Sequence, residues 1–128
     1  MAGDKGFLIY VVDDENIIAV TLAAILRKTG FQALAFTNPI QALDSARLNP
    51  PDVLLTDVVM PELSGIDLAI QLRAFCPECK ILLFSGQATT SDMLDVARAQ
   101  GHDFAILAKP IHPTDLLASI SALRTTAK

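Results

Sequence analysis

Short apolar runs alternate with longer amphipathic runs along this chain, and no other feature of the sequence restricts its fold so tightly. Phe7-Leu8-Ile9-Tyr10-Val11-Val12 is β-branched and aromatic, stops at an acidic pair, and reads as a buried strand. Asn16 to Lys28 reads as a helix closed by Gly30. Phe31 to Phe36 is a second strand. Asn38 caps a helix that Pro39 opens and that runs to about Leu48, where Asn49-Pro50-Pro51 breaks it. The stretch Asp52 to Asp57 holds a third strand, Val53 to Thr56, followed by a loop with Pro61 and a helix from about Gly65 to Phe75. Beyond Pro77, Lys80 to Ser85 is a fourth strand, and Thr90 or Ser91 caps a helix ending near Gln100. Phe104 to Ala108 is the fifth strand, and Pro113 opens a last helix to about Arg124.

Five strands alternating with five helices predict βαβ units: an α/β, doubly wound, five-stranded parallel sheet with helices on both faces. Right-handed crossovers leave few topologies open. A chain of 128 residues fits one domain, 1–128, with a core over about 6–124. Its apolar share, 52%, is enough to fill that core, and its net charge of −4 gives no electrostatic ground for direct binding to nucleic acid. No uncharged apolar stretch approaches the about 20 residues of a membrane span. The longest, Ile17 to Leu26, is too short, and the apolar run from Phe7 meets Asp13-Asp14-Glu15 with no cleavage site. The expected location is cytoplasmic, with no membrane association.

In parallel sheets, ligands bind beyond the carboxyl ends of the strands. Reactive side chains fall at those ends here. Asp13 and Asp14 end the first strand, Asp57 the third, Ser85 the fourth, and Lys109 follows the fifth. Carboxylates crowded together repel, and a divalent cation relieves that repulsion. Carboxylate oxygens suit Mg²⁺, which takes one or two of them together with phosphate oxygens and water. A carboxylate can also attack phosphorus to give an aspartyl phosphate. The transferring group then needs its charge met by a metal, an ammonium and a hydroxyl.

The segments Val11-Val12-Asp13-Asp14-Glu15, Leu54-Leu55-Thr56-Asp57-Val58-Val59-Met60-Pro61, Leu83-Phe84-Ser85-Gly86 and Ala108-Lys109-Pro110, in this order and spacing, resemble the receiver-domain family of two-component signalling. The resemblance covers essentially the whole chain. It implies a flavodoxin-like (βα)5 fold with strand order 2-1-3-4-5. It implies that Asp57 is the phosphoacceptor and that Asp14, Asp57 and the Val59 backbone carbonyl bind Mg²⁺, with Asp13 acting through a metal-bound water. Ser85 and Lys109 would hold the phosphoryl group, Gly86 would leave room for it, and the Lys109–Pro110 bond would be cis. The implied partners are a histidine kinase or histidine phosphotransfer protein as donor and a downstream effector, with pairing to a second copy left open. Catalysis would be confined to the chain's own phosphorylation and dephosphorylation. Only Thr125 to Lys128 follow the last helix, so no output domain is expected.

The match has gaps. Family members commonly carry Tyr or Phe three residues before the lysine. Ile106 stands there, and Phe104 is the nearest aromatic on the same strand parity. The segment from Gly101 to Lys109 also looks one residue longer than the common pattern. Val59 and Gln87 lie two residues past Asp57 and Ser85, and apolar Val59 cannot position a water, so slow self-dephosphorylation is expected.

Other readings are weaker. A phosphatase of the haloacid dehalogenase type needs a second Asp where Val59 stands, and a nucleotide or flavin binder needs a Gly-rich loop where Asp13 to Asn16 stand. A receiver-like interaction module that is never phosphorylated remains the alternative, although such modules usually lose an acid or the lysine. Cys76-Pro77-Glu78-Cys79 has C-x-x-C spacing but follows a helix and precedes a strand, so two turn thiols are the default and a reversible disulfide the sharper reading. His102 and His112 read as surface turn residues. Helix one is too apolar to face the sheet all round, which points to an exposed docking stripe of Ile18, Leu22 and Ile25. In the last helix, Leu116, Leu117, Ile120 and Leu123 should face the core, with Ala118, Ser119, Ser121 and Ala122 outward.

Overall fold

The computed structural model describes residues 7–86, 95, 98–101 and 104–126. The elements run β1 (Leu8–Val12), α1 (Asn16–Lys28), β2 (Gln32–Phe36), α2 (Pro39–Leu48), β3 (Val53–Asp57), α3 (Gly65–Phe75), β4 (Lys80–Ser85), β5 (Ala105–Ala108) and α4 (Pro113–Thr126). The five strands form one sheet in the order β2-β1-β3-β4-β5, all pairs parallel. The helix expected from Thr90 or Ser91 to Gln100 lies largely outside the described residues, although Asp95, Arg98 and Ala99 are helical. His102 and Gln87 also lie outside them.

The inner strands β1, β3 and β4 are buried on both faces, which explains their apolar runs in the sequence, whereas the edge strands β2 and β5 are partly exposed. Leu8, Tyr10, Val12, Leu54, Ile81 and Leu83 pack on one face against Leu43 of α2 and Ile66, Leu68 and Leu72 of α3. Ile9, Val11, Val53, Leu55, Leu82 and Phe84 pack on the other against Leu22 and Leu26 of α1 and Leu116 and Ile120 of α4. Three strands begin one residue later than the apolar runs suggest. Phe7, Phe31 and Phe104 precede them and are buried without joining the ladders. The Phe7 and Phe31 rings pack 5.9 Å apart at this edge.

The turn residues act as their chemistry dictates. The Asn38 side chain accepts from the Ile40 and Gln41 amides at 2.8 and 3.1 Å, fixing the start of α2. The Ser64 hydroxyl accepts from the Asp67 amide at 3.0 Å and does the same for α3. The buried Tyr10 hydroxyl donates to the Asn49 carbonyl and is hydrogen-bonded to Ser45 Oγ at 2.9 Å, tying the end of α2 to β1.

In α1 the exposed stripe differs from the one expected. Leu22 is buried, and Ile18 and Ile25 pack partly against the core. Ala19, Leu22, Ala23 and Leu26 form the inward stripe at helical spacing, which turns Ile17 (79% exposed) and Val20 outward instead. In α4, Leu116 and Ile120 are buried, Leu117 and Leu123 partly so, and Ala118, Ser121 and Ala122 face out as the sequence indicates, while Ser119, expected outward with them, is half-buried.

One contact holds α3 hard against β3. The Gly65 amide donates to the Val58 carbonyl at 2.8 Å. A Cβ at Gly65 would lie 2.0 Å from the Asp57 carbonyl oxygen, so only glycine permits this approach. Gly65→Ala should cost about 1–3 kcal/mol, the usual range for forcing an atom into a filled site. Urea unfolding with an unchanged m-value checks this; a midpoint equal to wild type would contradict it.

Candidate functional site

Parallel pairing brings the carboxyl ends of β1, β3, β4 and β5 to one rim. Val12 pairs with Thr56, Asp57 with Phe84, and Ser85 with Ala108, so the residues at or just past those strand ends become neighbours. Asp13 is fully buried there, and its amide donates to the Phe36 carbonyl of β2 at 3.1 Å. One Asp13 oxygen accepts from the Glu15 amide at 2.8 Å, a local turn that fixes the carboxylate. The other faces Lys109 Nζ at 3.3 Å, and the same ammonium donates to Asp57 Oδ2 at 3.2 Å. Below it lies the Phe84 ring, 5.2 Å from Nζ to the centroid. Ser85 is buried at the end of β4, and its carbonyl accepts from the Lys109 amide at 3.1 Å. The Lys109–Pro110 bond is cis, as expected.

Asp13, Asp57 and Lys109 therefore meet through side chains, with Ser85 on the adjoining strand. Asp14 is exposed on the solvent side. Asp13, Asp14 and Asp57 each offer a carboxylate oxygen, and these atoms all lie within 4.8 Å of one another. Three hard oxygen donors so close, opposed by a single Lys109 ammonium, could hold a divalent metal ion. A cavity of about 290 Å³ opens beside them, lined by Asp14, Glu15, Asp57, Val59, Gly86 and Lys109. Among the described residues, a Cβ at Gly86 would make ordinary contact with Lys109 Cβ at 3.5 Å, so the backbone there lies against the Lys109 stem without excluding a small side chain.

Burial raises the Asp57 carboxyl above its ordinary pKa against the opposing pull of Lys109, and it raises Asp13 in the same way, helped by the Asp57 charge. Burial alone would lower Lys109, but the charges of Asp57 and Asp13 outweigh it and hold the ammonium above its ordinary value.

Two contributors carry weaker signals in the sequence. Phe84 forms the floor under Lys109, yet as a letter it only continues an apolar run. Gly65 could be suspected only as a small residue at a helix start. Phe104 is buried with the Arg73 guanidinium 5.4 Å from its ring centre. It lies four residues before Ala108, the partner of Ser85, or about 13 Å down the strand. It does not line the site, and Ile106 is partly exposed. Beside the rim, Ile17, Ile18, Thr21, Leu22, Pro110 and Ile111 line an apolar groove of about 470 Å³ that reaches Lys109.

The model of the response regulator receiver domain matches residues 9–121. The chain is 32% identical to the transcriptional regulatory protein CreB of Escherichia coli over 94% of its own length and 52% of that protein. It is also 32% identical to the response regulator receiver protein CpdR of Brucella abortus, over 93% of this chain and 98% of that one. The chain thus spans about half of CreB and nearly all of CpdR. Among solved structures, a response regulator receiver domain protein from Clostridium thermocellum superposes with a TM-score of 0.82 at 27% identity, covering 93% of this chain and 94% of that one. The chemotaxis protein CheY4 of Vibrio cholerae shares the fold, with a TM-score of 0.81 at 23% identity over 91% and 98% of the two chains.

The raised carboxyls fix the sign of a pH dependence. The folded state holds their protons more tightly than the unfolded chain, so metal-free stability should fall as pH rises from about 4 through the raised values. Lys109 acts with the same sign but only at alkaline pH, its stabilisation being full below the ordinary lysine value and lost as pH rises through its raised value. Asp13→Asn should flatten the profile and raise the urea midpoint at neutral pH; a profile parallel to wild type would refute this. A divalent metal ion held by the three carboxylates, at 100 times its Kd, should stabilise the wild type by about 2.7 kcal/mol.

Proposed function

This chain belongs to the response regulator receiver domain family of two-component signalling, and we propose on that premise that it is a switch thrown by phosphorylation of Asp57 with Mg²⁺ bound alongside. The observation that carries the reading is the Lys109 ammonium placed between Asp13 and Asp57 at the carboxyl rim of the sheet. Asp14, Asp57 and the Val59 carbonyl would hold Mg²⁺ directly and Asp13 would hold it through a bound water. The ion would neutralise charge on the phosphoryl oxygens.

A carboxylate oxygen of Asp57 attacks the phosphorus carried on a partner's histidine. The phosphorus–nitrogen bond breaks, and the imidazole keeps the electron pair and takes a proton. Lys109 then pairs with a phosphoryl oxygen, the Ser85 hydroxyl donates to another, and the cavity that Gly86 lines admits the group. Apolar Val59, at the cavity wall, cannot hold a water for attack on the acyl phosphate, which lengthens its life. The chain turns over no separate substrate, so it is not an enzyme in the usual sense.

The partners are a histidine kinase or phosphotransfer protein and a downstream effector, with dimerisation as a further route of output. The single domain spans 1–128, and a cytoplasmic location suits such partners. The exposed side chain of Ile17 and the apolar groove beside Lys109 form the docking surface for the donor, because they put its histidine next to the acidic rim. The buried ring of Phe104 is held under Arg73, so the switch reads out through loops and helices rather than an aromatic swing.

Incubation with Mg²⁺ and a small phosphodonor, followed by intact mass, tests the central claim. One phosphoryl adduct is expected on the wild type and none on Asp57→Ala; an unmodified wild type would leave only the phosphorylation-free interaction module. The adduct should decay faster in Val59→Asn. Ile17→Glu should keep labelling by the small donor while losing transfer from a cognate kinase, about tenfold or more; equal loss of both would refute the docking surface.

A further inference from the structure

Two thiols sit at the amino-terminal edge of the sheet, opposite the acidic rim, and the phosphorylation chemistry uses neither. Cys76 caps the end of α3, its amide donating to the Leu72 carbonyl at 2.8 Å. The Cys79 amide donates to the Cys76 carbonyl at 3.2 Å, closing a four-residue turn over Pro77 and Glu78. Such a turn brings its terminal Cα atoms within about 7 Å. That range overlaps the roughly 4.4–6.8 Å spanned by disulfide-bonded cysteines.

The side chains also lean the same way. Cys79 is buried in the cluster between the sheet and α2 and α3, and Cys76 packs against that cluster. Cys76 Sγ lies 4.0 Å from the Pro51 carbonyl oxygen and Cys79 Sγ lies 3.5 Å from that of Lys80. The Lys80 amide joins those two segments by donating to the Asp52 carbonyl at 2.9 Å. A cavity of about 600 Å³ reaches both cysteines, with Arg73 and Lys80 among its walls. Cys76 is half-buried and Cys79 is buried, so a reagent entering the cavity meets Cys76 first.

We propose that Cys76 and Cys79 are a dithiol modification site, in which Cys76 exchanges with a low-molecular-weight disulfide and Cys79 resolves the product into an internal Cys76–Cys79 bond. In the first step the Cys76 thiolate attacks one sulfur of the external disulfide. That S–S bond breaks, a mixed disulfide forms on Cys76, and the leaving thiolate takes a proton. In the second, Cys79 loses its proton and its sulfur attacks Cys76 Sγ, releasing the second small thiol. Two protein thiols are oxidised and one external disulfide is reduced. Burial pushes the Cys79 thiol up to about 12, so its thiolate is scarce at neutral pH and the second step is the slow one.

The test is incubation of the full chain with glutathione disulfide at neutral and mildly alkaline pH, read by intact mass. A single glutathione adduct should appear and give way to a species two hydrogens lighter than the reduced protein, which a dithiol reductant reverses. The conversion should quicken about tenfold per pH unit, as the thiolate fraction does below the thiol's pKa. Cys79→Ser should stop at the adduct, and Cys76→Ser should form neither product. Asp57→Ala should behave as wild type, which separates this site from the phosphorylation site. The proposal is overturned if the wild type stays unmodified while its unfolded form reacts, or if the wild-type adduct is as lasting as that of Cys79→Ser.

Discussion

The ammonium of Lys109, shared between two buried carboxylates, is the contact on which the acidic rim depends. Asp13 is fully enclosed and Asp57 nearly so, and two like charges in such surroundings would drive one another to protonate. Lys109 lowers that cost without removing it, since both carboxyls remain above their ordinary values. The rim is left with an uncompensated negative charge and with space beside it. Those are the conditions under which a cation or a cationic face of a partner is welcome.

The sheet makes this arrangement possible from residues far apart in sequence. Its rim contributors come from the residues after β1, the last residues of β3 and β4 and the residue after β5, and parallel pairing aligns those ends. The thiol pair lies at the other edge, where strands begin. The acidic rim and the thiol pair are therefore separated by the length of the strands, with the apolar core between them.

Much of this was legible in the sequence because it followed from local periodicity. Apolar runs marked the strands, Asn38-Pro39 marked a helix start, and the reactive residues stood at the ends of those runs. What was not legible depended on tertiary approach. The outward face of α1 could not be chosen among so many apolar residues until Ala19 and Ala23 were seen to face the sheet beside Leu22 and Leu26. Phe104 looked like a substitute for an aromatic at Ile106 because strand parity matches, but parity says nothing of distance along the strand. The need for glycine at 65 is set by the Asp57 carbonyl, eight positions earlier and on a different element.

That last contact has a mechanical meaning. With no side chain between them, the first turn of α3 rests on the peptide group of Asp57 as a rod rests on an anvil. A rotamer change of the Asp57 carboxylate is absorbed by the cavity. A displacement of its main chain finds no slack and is delivered to the helix as a push along or across its axis. The joint is stiff toward the backbone and compliant toward the side chain.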